Sequence, residues 1–307
     1  MHAVFADPKT DFVFKRIFGS ESRKPLLIAL LNHLLELEGD RRILDVQHLT
    51  GEQHVDLAEL KLSIVDVKCT DATGRRYVVE MQVLKVEGFE KRVVYNASKA
   101  YVMQLRNAEE YPALCDVVGV TICNFNLWSD RDAAGRAKVP MLSRWRMQEQ
   151  HTGERGLSQV QYVFLELPKY EAGDAPTALI DKWAYFFREA KNLNVVPPAL
   201  AEGPFRDALE VARTANFSPD EWEAYERSKM AEQDARGALA IERQEGIAEG
   251  VLRGKRAALS RLLERRGLAL TDEHRAQIEA CTDIATLDRW FDRALDVETA
   301  AAVFLQA

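Results

Sequence analysis

The chain has 307 residues, enough for one large domain or two ordinary ones of roughly 150 residues each. An apolar fraction of 47% suffices for a packed core, and a formal charge of −7 excludes a chain that is basic throughout, although a local basic stripe would still serve nucleic acid. The four cysteines form no CxxC pair and suit buried, reduced thiols; with no signal-peptide pattern and no apolar run of about 18 residues, a cytoplasmic protein with no membrane partner is expected.

Asp7-Pro8 followed by Lys9–Phe18 predicts a short capped helix with Phe12, Ile17 and Phe18 turned inward. Asp11 and Lys15 are four residues apart and suit an ion pair on its surface. Lys24–Glu38 carries a wide leucine stripe and reads as a core helix ended by Gly39. Ile43–Leu49 reads as a first strand. Lys61–Cys69 and Arg76–Leu84 are alternating apolar runs around Asp71-Ala72-Thr73-Gly74, a hairpin signal in which Gly74 is free to take positive φ.

Side chains alternate along a strand, so Asp66 is expected to share a face with Leu62 and Ile64, and Glu80 with Val78 and Gln82. Asp66 and Glu80 are equidistant from Thr73, so a turn centred there sets them face to face, with Cβ atoms about 5 Å apart. Two such carboxylates among apolar neighbours repel each other and lose solvation, and a divalent cation relieves both costs. An acidic residue on a strand more often points to water. The metal reading therefore rests on the whole pattern of Asp66, Gly74 and Glu80-Met81-Gln82.

Phe89–Leu105 is helical by pattern, with Val93, Val94, Ala97, Ala100, Tyr101 and Leu105 on the buried side. Arg92, Tyr95 or Asn96, and Lys99 fall on the other side, either as a solvated basic face or as a row of phosphate donors. Leu114–Cys123 is nearly all apolar and suits a strand buried on both faces, parallel to its neighbour after the helical crossover. The order so far is helix, three strands, helix, strand.

Asp130–Arg136 reads as a loop, and Leu142–Met147 and Val160–Leu167 as two more strands before Pro168. Ala178–Lys191 is a helix whose Trp183, Phe186 and Phe187 suit the core, and Pro204–Ala215 is another. Ser218-Pro219-Asp220 caps a long charged helix running towards Arg266, with Gly246, Gly250 and Gly254 at intervals of four. Asp272–Cys281 and Thr286–Leu295, with Trp290 and Phe291, suggest a small helical terminus suited to self-association. The expected divisions are a core over 1–170, a helical extension over 171–217 and a charged helical region over 218–307.

IVDVKCTDATGRRYVVEMQV, together with DPKTDFVFKRIFG (Asp7–Gly19) and FEKRVVYNASKAYVMQL (Phe89–Leu105), resembles the Rpn family of recombination-promoting nucleases and transposase-like proteins, within the PD-(D/E)XK nuclease superfamily. The resemblance covers about the first 130 residues. It implies an α/β fold with a restriction-endonuclease-like αβββαβ core and mixed central sheet, followed by a helical C-terminal region. It implies Asp66 and Glu80 as catalytic metal ligands. Gln82 stands where most of the superfamily has Lys, and Gln is usual in this branch. It also implies Asp11 and Lys15 near the mouth of the site, and regular use of the Arg and Tyr of the Phe89 helix.

The expected activity is hydrolysis of DNA phosphodiesters by an endonuclease using Mg²⁺ or another divalent ion, linked to recombination or mobile elements. Asp66, Glu80 and Gln82 would carry it, with Lys15, Lys68, Arg92, Tyr95 and Lys99 as phosphate contacts. Gln82 has no titratable proton, so it can orient a water or phosphate but cannot serve as the base. Expected partners are DNA and, through the C-terminal helices, a second copy of the chain. An inactive nuclease fold kept to bind DNA or protein is the rival reading, which the acidic net charge and the missing Lys favour and the retained carboxylates oppose. No P-loop, GxSxG or HExxH pattern occurs. Of the six histidines only His48 and His54 lie close together, too little for a zinc site.

Overall fold

The computed structural model describes residues 3–50, 52–53, 63–105 and 110–305. The chain divides into two compact units, Met1–Glu232 and Gln233–Ala307. The first unit begins with α1 (Asp11–Phe18), α2 (Lys24–Leu35), β1 (Val46–Leu49) and a short ribbon of β2 (Glu52–Gln53) and β3 (Ser63–Ile64). It continues with β4 (Val67–Asp71), β5 (Arg76–Gln82), α3 (Phe89–Val102), β6 (Val117–Cys123), β7 (Leu142–Trp145), β8 (Val160–Glu166), α4 (Leu179–Glu189) and α5 (Gly203–Ala212).

The main sheet has the order β1-β4-β5-β6-β8-β7. β1, β4 and β5 are antiparallel, β5, β6 and β8 are parallel, and β7 returns antiparallel to β8. This is the expected mixed sheet with the αβββαβ order, the β2–β3 ribbon being inserted ahead of β4. The α3 crossover makes β6 parallel to β5, as its length requires.

Alternation divides the sheet into two faces. Val67, Tyr77, Val79, Val118, Val120, Val163 and Leu165 join one core cluster with residues of α1, α2, α4 and α5. Trp183, Phe186 and Phe187 of α4 lie wholly inside it, and burying each such ring contributes roughly 2–3 kcal/mol. The other face is covered by α3. Ala97 and Ala100 pack on Val78 and Val117, and Phe89 and Val93 on Cys123 and Phe164. β6 is covered on both sides, which explains its unbroken apolar sequence. α3 comes close because Gly119 has no side chain: a Cβ there would lie 3.3 Å from the Tyr162 ring and 3.7 Å from the Ala97 Cβ.

Several boundaries differ from the sequence reading. α2 stops at Leu35, because Glu36 takes a left-handed conformation (φ 49°) and Leu37 N–H returns to the Asn32 carbonyl at 2.9 Å. Gly39 instead opens a single turn, Gly39–Arg41. The expected strand over 61–69 is broken: β3 pairs with β2, and the main-sheet strand restarts at Val67. Lys61, Leu62 and His54 lie outside the described residues. Cys69 and Cys123 are buried, whereas Cys115 and Cys281 are only half-buried, and all four are free thiols.

α6 (Pro219–Arg265) starts at Ser218, whose Oγ accepts Glu221 N–H at 3.2 Å while the Glu221 carboxylate accepts Ser218 N–H at 2.9 Å. That reciprocal pair is a capping box. Its residues beyond Glu232, with α7 (Asp272–Ala280), α8 (Ile284–Asp296) and α9 (Ala300–Val303), form the second unit. Leu259, Leu263, Ile278, Leu287, Trp290 and Val303 make its core. A Cβ at Gly246, Gly250 or Gly254 would meet nothing within 4 Å, so their regular spacing serves no close packing among the described residues. Among those residues no helix is long and apolar enough to cross a membrane.

Candidate active site

The site is built on the hairpin of β4 and β5. Asp71 Oδ1 accepts Thr73 N–H at 2.9 Å, the Thr73 hydroxyl at 2.6 Å and Arg75 N–H at 3.1 Å. Asp71 N–H reaches the Arg75 carbonyl, and Gly74 N–H the Asp71 carbonyl, each at 3.0 Å. Gly74 closes the reversal at φ +84°, where a side chain is strained. One carboxylate thus organises the turn, and the turn fixes the register. The pairs run Thr70↔Arg76, Cys69↔Tyr77, Lys68↔Val78 and Val67↔Val79. Continued by one step, that series would set Asp66 opposite Glu80, but β4 begins only at Val67.

At Asp66 the chain leaves the ladder. The Asp66 carboxylate itself accepts Met81 N–H at 2.7 Å. In a continuing ladder that N–H would go to the Val65 carbonyl, by the same pattern that joins Asp71 to Arg75. The side chain therefore replaces a backbone acceptor, and its alternation with Val65 is lost: Val65 packs with Val78 and Ala97 under α3. Asp66 is consequently held against the backbone of β5.

Both carboxyls are depleted of solvent. Burial pushes Asp66 up to about 7, opposed by the Met81 hydrogen bond and reinforced by the nearby Asp11 and Glu80 carboxylates, with Lys15 pulling the other way. Burial also raises Glu80, against the Asn96 hydrogen bond and the positive charge of Arg92. Glu80 is only 7% exposed. Its Oε1 accepts from the Asn96 side-chain amide at 2.6 Å. Asn96 is itself buried, and its Oδ1 has no hydrogen-bond partner among the described residues.

Arg92, one turn before Asn96 on α3, donates to Gln82 Oε1. The Gln82 amide nitrogen donates to the Leu84 carbonyl at 3.1 Å. The side chain standing in place of a lysine is thus tied to a guanidinium from the helix. Lys15 pairs with Asp11 at 2.7 Å, and both charges act on Asp66. The expected surface ion pair is formed, and it lies near enough to Asp66 for both charges to act on it.

The rest of the α3 row differs from the sequence reading. Lys99 is 5% exposed, with its Nζ 5.6 Å from the Tyr95 ring centroid, so this side of the helix is not a solvated basic face. Lys68 is also buried, and its pKa is lowered by burial and then by Arg76 and Lys99. Lys68 therefore sits among cations, and Asp66 is not among the charges that shift it. Of Arg92, Tyr95, Asn96 and Lys99 only Arg92 is exposed. Helical spacing from Arg92 leaves Tyr95 and Asn96 equally eligible, and it is Asn96 that reaches the sheet, at Glu80. His48 meets Glu21 through Nδ1 at 3.2 Å and the Phe18 carbonyl through Nε2 at 2.9 Å.

Among the described residues no group of three or more His, Cys, Asp or Glu side chains is arranged to hold a metal ion. The Asp66 and Glu80 carboxylates and the unpartnered Asn96 oxygen offer oxygen atoms only. That set fits a hard divalent cation that keeps most of its positions for water and phosphate, and it does not fit a closed zinc site.

A family model described as PD-(D/E)XK nuclease family transposase matches residues 8–242. No curated protein and no solved structure matches the chain.

Proposed function

We propose that this chain, which belongs to the PD-(D/E)XK nuclease family transposases, hydrolyses phosphodiester bonds in DNA with a divalent cation, Mg²⁺ in the first instance, held by Asp66 and Glu80. The observation that carries the proposal is the pair itself: two carboxyls close enough for the Glu80 charge to act on Asp66, both desolvated, both with raised pKa. In a nuclease family such a pair costs folding stability and is repaid by function.

The bound cation would polarise the phosphoryl oxygen and lower the pKa of an attacking water. Asp66 must release its proton to become a ligand, and Lys15 and the Met81 N–H favour its anionic form. Asn96 holds Glu80 in one orientation through its amide N–H. Gln82 has its oxygen committed to Arg92 and one N–H committed to Leu84. The second amide N–H is left to orient a water or phosphate oxygen. Arg92, exposed and beside Gln82, meets the substrate phosphate, which gives affinity without reading sequence.

Nicking of supercoiled plasmid by the purified chain tests this reading. Wild type should nick with Mg²⁺ or Mn²⁺ and not in EDTA, and Asp66→Asn and Glu80→Gln should each lose about 100-fold or more. Wild type inactive over a range of divalent ions would support a nuclease fold retained for binding.

A further inference from the structure

We propose that the cleft between the C-terminal end of α2 and the outer side of β7 binds the phosphate backbone of a nucleic-acid strand, as a second contact separate from the carboxylate pair. The choice of nucleic acid as ligand rests on the nuclease reading above. The cleft has a volume of about 470 Å³, and Arg41, Arg144, Arg146 and Arg155 line it with Glu36 and Gln148.

Alternation along one strand builds it. Arg144 pairs with Val163, whose side chain belongs to the core under α2, so Arg144 and then Arg146 and Gln148 look to that side. Trp145, between them, looks the other way and stacks on Trp128 at 4.5 Å. Past the end of β7, Gln148 bridges to Arg155, which brings a third guanidinium to the same side. Arg41 comes from the single turn after α2.

Arg144 is fixed in place: it donates to Glu36 at 2.8 Å and to the Leu34 carbonyl at 2.9 Å. The Arg41, Arg146 and Arg155 side chains have no hydrogen-bond or ion-pair partner among the described residues. In the turn beyond β7, Glu149 accepts His151 N–H, Thr152 N–H and the Thr152 hydroxyl through Oε2. Four guanidinia against one carboxylate therefore share a concave site, in a chain whose net charge is −7. Convergent cations without counter-charges repel, and an anion relieves that cost.

The lining chemistry selects the anion. Guanidinium forks match phosphate oxygens in pairs. No aromatic ring lines the cleft, so it offers no platform for a base and suits the backbone alone. β7 lies three strands from β5 in the sheet.

The test is a binding titration of the full chain in EDTA, using a labelled duplex of about 20 base pairs over a series of salt concentrations. The variant combines Arg41→Gln, Arg146→Gln and Arg155→Gln and leaves Arg144 in place; an unchanged urea midpoint verifies its fold. The affinity should fall about 10-fold or more at low salt, and the slope of log K against log salt should shrink by about two units. Unchanged affinity and slope would overturn the proposal. Loss of inorganic tripolyphosphate binding with duplex binding intact would overturn it too, because the cleft would then hold a small polyanion. The readout needs no cleavage. A chain that nicks plasmid yet ignores these substitutions refutes the cleft alone, and one that fails to nick yet binds through them refutes the nuclease reading alone.

Discussion

Arg92 of α3 donates a hydrogen bond to Oε1 of Gln82 on β5, so a helix delivers positive charge to the strand position where most of the superfamily carries a lysine. Restoring that lysine should therefore harm this chain. Gln82→Lys sets an ammonium against the guanidinium, and at this half-buried position the repulsion amounts to about 1 kcal/mol. Plasmid nicking should fall roughly fivefold to tenfold, and Gln82→Lys combined with Arg92→Gln should recover most of it. Nicking that rises in the single variant would show that Arg92 does not supply the charge.

Asp66, held at about 7 instead of 3.8, makes stability depend on pH with a definite sign. From about pH 4 to about 7 the unfolded chain has ionised this carboxyl and the folded chain has not, so stability falls as pH rises through that window and levels off above it. Glu80 acts in the same direction. Without divalent ion, Asp66→Asn should resist urea better than wild type at pH 8, by on the order of 2 kcal/mol after allowance for solvent screening. At pH 4 the difference should be small. The amide oxygen still accepts Met81 N–H, so the backbone contact survives. Equal or lower stability of the variant at pH 8 would contradict the assigned burial of charge. Nicking by wild type at subsaturating Mg²⁺ should rise with pH through about 7.

Asn96 orients Glu80 from α3, and among the described residues its own oxygen has no partner. Asn96→Leu keeps roughly the volume and removes the donor. Glu80 should then titrate higher still, and Mn²⁺ affinity should fall about 10–100-fold, as when other residues that position metal ligands are lost. Wild-type Mn²⁺ affinity in this variant would remove Asn96 from the site.

Gly74 carries the register. At φ +84° any side chain is strained, and an added Cβ would come within 2.6 Å of the Cys115 Sγ. Gly74→Ala should lower stability by about 1–3 kcal/mol in urea titration. Adding Cys115→Ala should recover only the part due to the collision, since the backbone strain remains. Full recovery would mean that the turn tolerates a side chain.

The hairpin was legible because its determinants are local: Asp71 and Gly74 set the turn, and the turn sets the register as far as Val67 and Val79. The continuous apolar run of β6 and the aromatics of α4 were legible for a similar reason, as burial on two sides writes itself into composition. The break at Asp66 was not legible, because a side chain there takes a hydrogen bond that alternation assigns to the backbone. The end of α2 was misplaced because Glu36, held by Arg144 from a distant strand, takes a conformation usually left to glycine. Lys99 and Lys68 are buried although lysines usually lie at the surface, and no local pattern in the sequence announces it. The arginine cleft required the pairing of Gln148 with Arg155, which no local pattern announces.

Calorimetric titration of the apo chain with Mn²⁺ at pH 8 tests the carboxylate pair most directly. The account predicts a saturable site in wild type whose heat disappears in both Asp66→Asn and Glu80→Gln, while the two variants remain folded. Binding of the same stoichiometry and affinity in either variant would contradict it.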